Sequence, residues 1–157
     1  MGKTISQLTI EKYAGKKLPN IMKPVIQQEK TGCAIASSAA IAGISYAKAK
    51  RIANRLGISA KDSTLWSSTK PVRAILKELN IKTGSSETPF KNWGSLPDCA
   101  LLAIKWHIEN GTPYWHWVVY VREPKGEYVL DSKKALKSNI RTDFGRIKPK
   151  WFIKVNT

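Results

Sequence analysis

Between Cys33 and about Asn80 the apolar positions recur at helical spacing, and beyond Gly84-Ser85-Ser86 they alternate or run together as strands do. The stretch Cys33-Ala34-Ile35-Ala36-Ser37-Ser38-Ala39-Ala40-Ile41-Ala42 is small and apolar nearly all round, so it predicts a buried helix that stops at Gly43. Ser45 can cap a second helix carrying Ala47, Ala49, Ile52, Ala53 and Leu56, with Lys48, Lys50, Arg51 and Arg55 on its other face and Gly57 at its end. Thr69 before Lys70-Pro71 predicts the start of a third, in which Val72, Ile75, Leu76 and Leu79 share one face.

The strand grammar falls on Ala100 to Trp106, Trp115 to Arg122, Glu127 to Asp131 and Lys150 to Val155. Asn110-Gly111 and Pro124-Lys125-Gly126 supply turns between the first three. These elements predict an α+β fold, a small N-terminal helical layer packed on a C-terminal antiparallel sheet. No repeat, low-complexity tract or long linker divides residues 1–157, so one domain is expected. A chain of this length removes roughly two-thirds of its surface from water without help from a metal or a disulfide. No apolar run approaches the roughly 18 residues of a membrane span. Met1 to Leu8 has a lysine but no apolar core after it, unlike a secretory signal. The expected location is the cytoplasm, with delivery elsewhere requiring another component or excision from a longer protein.

Charge changes this picture. Twenty-seven Lys and Arg stand against 11 Asp and Glu, a net charge of +16, which steers acidic partners toward the surface. An immunity-type protein, a nucleic acid or a cell-wall polymer would each answer to that field. The basic residues Lys133, Lys134, Lys137, Arg141, Arg146, Lys148, Lys150 and Lys154 crowd the C-terminal part, with Trp151 and Phe152 between them as stacking surfaces would be.

Chemistry is carried by few residues. Cys33 opens the buried helix, where free N–H groups and the positive end of the dipole favour a thiolate. Gly32 lets the chain bend before it. The other cysteine, Cys99, reads as a small buried hydrophobe, since a Cys33–Cys99 bridge would consume the nucleophile. Gln27, six positions before Cys33, can aim its amide at an oxyanion, with Gln28 as a competitor. Of the two histidines, His116 opens an apolar strand and reads as the general base, whereas His107 sits beside a strand end and a turn. Asp131, ending the next strand, can orient the His116 ring. That pairing requires an odd hairpin register, such as residue 118 opposite 131, which sets His116 and Asp131 on one face as diagonal neighbours.

Gln27, Cys33 with its small-residue helix, Leu96-Pro97 before Ala100 to Trp106, His116 opening Trp117-Val118-Val119-Tyr120, and Val129-Leu130-Asp131 resemble the bacteriocin-processing cysteine peptidases. That papain-like family cleaves double-glycine leader peptides and is often fused to export transporters. The resemblance covers about residues 24 to 135. It implies Cys33 as nucleophile, His116 as base and acid, Asp131 as orienter, Gln27 as oxyanion donor, a peptide or protein substrate and no cofactor. Ala34 stands where the family has glycine and Ser132 where it has proline, and the transporter parts are absent, so double-glycine cleavage does not carry over. Three functions stay open: a cysteine hydrolase acting on an amide or peptide bond, as a delivered toxin or otherwise; a basic nucleic-acid-directed toxin on the same scaffold; and an inactive peptide-binding pseudopeptidase.

Overall fold

The computed structural model describes residues 22–156; the reading of Met1 to Leu8 lies outside them. Among the described residues three α-helices form where the apolar spacing is helical: α1 Cys33–Ala42, α2 Tyr46–Arg55 and α3 Lys70–Glu78. α1 has no polar face, and it is buried from Cys33 through Ile41 between the sheet and the other two helices. It ends because Gly43 turns left-handed at φ 70°, while the N–H groups of Gly43 and Ile44 close back onto Ala40 and Ala39. The Ser45 hydroxyl accepts from the Lys48 N–H at 3.1 Å and so starts α2, which buries Tyr46, Ala49, Ile52 and Ala53. Pro71 falls in the first turn of α3, where no intrahelical donor is needed.

Seven strands follow: β1 Lys82–Thr83, β2 Thr88–Pro89, β3 Cys99–Glu109, β4 Thr112–Glu123, β5 Gly126–Leu130, β6 Ile140–Arg141 and β7 Trp151–Asn156. Every pairing is antiparallel, in the order β1-β7-β3-β4-β5-β6, with β2 also on β7. The fold is α+β. The four long strands lie where alternation predicts them, and β3 extends past Trp106 to take in His107. β1, β2 and β6 are two residues each, too short to carry a period of two.

β4 and β5 pair Val119 with Leu130 and Val121 with Tyr128, the odd register, so Asp131 leaves the end of β5 diagonal to His116. Between β3 and β4 the register shifts from Ile104–His116 to His107–Tyr114, and Lys105 sits in that bulge at φ 54°.

One sheet face, with Leu101, Trp117, Val119 and Ile153, packs on α1 and α3. The other, with Leu102, Val118, Tyr120 and Phe152, is covered by Phe90, Trp93 and Phe144. Trp115, Trp117 and Trp151 meet edge to face with centroids 4.9 to 5.7 Å apart, locking β4 to β7. Phe152 is buried and Trp151 is partly buried against this core, which corrects the reading of the pair as open stacking surfaces. Among the described residues no helix is long and apolar enough to cross a membrane.

Candidate active site

Four elements converge on one imidazole. β4 carries His116, whose Nε2 donates to Asp131 Oδ1 at 2.8 Å. Cys33, in the first turn of α1, lies close enough for its side chain to raise the ring pKa. Asp131 is 1 % exposed, and its carboxylate also accepts from the Lys133 N–H at 3.2 Å and from Arg141 Nη1, on β6, at 3.0 Å. Arg141 in turn grips Asp143 through Nε and Nη2 at 3.0 and 2.8 Å. Asn139 exchanges two backbone-directed bonds with Asp131, donating from Nδ2 to its carbonyl at 2.7 Å and accepting its N–H at 2.9 Å. The carboxylate is thus held by three donors, and the Asp131 backbone by Asn139.

Electrostatics follow from these contacts. Burial pulls the His116 imidazole down, but hydrogen bonds to Asp131 and Cys33 and their charges outweigh it and push it up to about 9. Burial works in the opposite sense on Asp131, where His116, the Lys133 N–H and Arg141 win and hold the carboxyl at about 2. Ring and carboxylate are therefore poised as an ion pair at neutral pH.

No family model and no curated protein matches this chain.

Gln27 reaches the same place by a different use of its amide. Its Nε2 donates to the carbonyls of Glu29 and Lys30 at 3.0 and 2.9 Å, and its Oε1 accepts from Ser132 Oγ at 2.7 Å. Its backbone N–H donates to the Ser132 carbonyl at 3.0 Å. Both amide hydrogens are committed to the turn before Cys33, so an oxyanion must displace one of those carbonyls. Ser132, the residue after Asp131, thus clips that turn to the end of β5. Gln28, the competitor, is exposed at the cleft mouth.

A cleft of about 410 Å³ opens over His116, lined also by Gln27, Lys30, Trp66, Trp115 and Lys133. Cys33 is 0 % exposed, so a carbonyl reaches the sulfur only if part of its cover moves. Gly32 adopts φ −84°, which any residue accepts; its lack of a side chain matters because a Cβ would stand 2.2 Å from the Tyr46 hydroxyl. Cys99 is buried and free like Cys33, and burial pushes its thiol up to about 12. His107 is exposed and bonds the Lys105 carbonyl and Glu109, apart from the Cys33 ring contact. Among the described residues no group of three or more His, Cys, Asp or Glu side chains is placed to hold a metal ion.

The sequence does not mark Arg141, Asp143 and Asn139 as parts of the site. Arg141 reads only as one cation among many, and its partnership with Asp131 depends on β6, whose two residues leave no periodic signal.

Proposed function

We propose that the chain is a papain-like cysteine hydrolase that cleaves an amide or peptide bond. The observation that carries this reading is the buried 2.8 Å bond from His116 Nε2 to Asp131, with Cys33 beside the ring in the first turn of α1. The Cys33 thiolate attacks the substrate carbonyl, forming a C–S bond and an oxyanion. The Cys33 N–H, at the start of α1, is one donor for that oxyanion; Gln27 becomes a second when an N–H leaves the Glu29 or Lys30 carbonyl. The imidazolium gives its proton to the leaving nitrogen as the C–N bond breaks. The imidazole then takes a proton from water, whose oxygen attacks the thioester, and the departing sulfur restores the ion pair. Asp131 keeps the ring in one tautomer throughout, and Arg141 with Asp143 holds Asp131.

The test is a comparison of proteomes exposed to the active chain and to Cys33→Ala, mapping new N-termini and newly deamidated glutamines. The expected result is a small set of sites found only with Cys33 present. Identical maps, with toxicity or nucleic-acid effects retained by Cys33→Ala, would contradict the reading.

A further inference from the structure

The bulge in β3 places one lysine at the junction of two clefts. Lys105, held at φ 54° in a left-handed conformation unusual for a side-chain-bearing residue, lines the cleft over His116 and also a second cleft of about 490 Å³. Lys133 and Lys134 stand with it in the first; Arg146, Lys148 and Lys150 stand with it in the second. Burial first, then the neighbouring charge of Lys133, pushes the Lys105 ammonium down, against an upward pull from Asp131. The one carboxylate lining either cleft, Glu29, is bonded to Lys50 and Tyr46. Among the described residues no carboxylate forms an ion pair with Lys105, Lys133, Lys134, Arg146 or Lys148.

The aromatic rings along this track already have a cation or a ring against one face. Lys150 Nζ lies 4.7 Å over Trp106, Lys30 Nζ lies 5.9 Å over Trp66, and His107 stacks on Tyr114 at 6.0 Å. Single-stranded nucleic acid depends on open stacking faces, whereas peptide carboxylates need only cations at intervals. We infer that the substrate is a polypeptide with acidic residues on one side of the scissile bond, running from His116 past Lys105 into the second cleft. This rests on the hydrolase reading, since it makes the basic track the specificity site of that reaction.

The experiment measures fluorescence polarisation of labelled short poly-L-glutamate, with iodoacetamide labelling of Cys33 in its presence and absence. Poly-glutamate binds, and Lys105→Glu and Lys148→Glu each weaken it by about tenfold, whereas Lys48→Glu, in the separate basic cleft on α2, changes it by less than about twofold. Bound peptide slows the labelling of Cys33. Equal weakening by Lys48→Glu overturns the proposal in favour of bulk charge. Equal binding of poly-L-glutamine, or tighter binding of oligo(dT) through the same lysines, also overturns it. If Cys33 labels rapidly but bound peptide does not shield it, the substrate role fails alone; if Cys33 is inert in the free protein, the hydrolase reading fails and takes the substrate role with it.

Discussion

Two histidine–carboxylate pairs of nearly equal length occur in this chain, His116–Asp131 at 2.8 Å and His107–Glu109 at 3.0 Å, in opposite surroundings. The side chains of the first pair are 14 % and 1 % exposed, and those of the second 52 % and 65 %. In water-like surroundings a close pair of charges gains little, so His107–Glu109 is a local surface contact at the tip of a hairpin. Around His116 the same contact is shielded from solvent, backed by Arg141 and Asn139, and has Cys33 close to the ring. Hydrogen-bond length does not separate the two; burial and the third partner do.

Removing each carboxylate in turn should break the comparison most visibly. Asp131→Asn should lower Cys33-dependent cleavage on the order of a thousandfold, because the ring loses its tautomer and its counter-ion. Glu109→Gln should leave kcat/KM within about twofold. The same Asp131→Asn change leaves His116 buried without its counter-ion and Arg141 with Asp143 alone, and should cost about 3 kcal/mol in urea denaturation. Glu109→Gln should not move the midpoint.

Titration sharpens the contrast next. The His116 ring should change protonation near pH 9 by NMR, well above the free-imidazole value of about 6.5. His107, raised by the Lys105 carbonyl and then by Glu109, should titrate separately. A folded-state value raised for His116 means its contribution is full below about pH 6.5 and fades as pH rises through about 9. Asp131, held at about 2, contributes above its unfolded value of about 3.9 and loses that as pH falls through about 2. The stability difference between wild type and His116→Gln should therefore be largest between about pH 4 and 6.5. A difference that grows above pH 9 would contradict this account.

The smallest expected effect belongs to Arg141, a positioning residue. Arg141→Gln should slow cleavage by about tenfold and shift the His116 midpoint upward, since a cation beside Asp131 is lost. Loss of activity with no movement of that midpoint would mark Arg141 as merely structural.

Much of the frame was legible in the chain. α1 is bounded by a cysteine and a glycine with no polar face between, and the β4–β5 register follows from an apolar strand, a Pro-Lys-Gly turn and a second strand. The meeting of His116 and Asp131 then follows from period-two geometry. Arg141 was not legible because its two-residue strand is fixed only by pairing with β5. The Lys105 bulge was hidden too, since no glycine marks it. Nor does local sequence show that Gln27 would bond its own turn, because that arrangement needs Ser132, brought in from the far end of β5.

The central claim is that Cys33 works as a thiolate against the His116 imidazolium. Iodoacetamide labelling at about pH 6, followed by mass spectrometry of both cysteines, tests it most directly. Cys33 should be alkylated far faster than Cys99, whose buried thiol is pushed up to about 12, and His116→Gln should abolish the difference; equal, slow labelling of both cysteines in the wild-type chain would contradict the account.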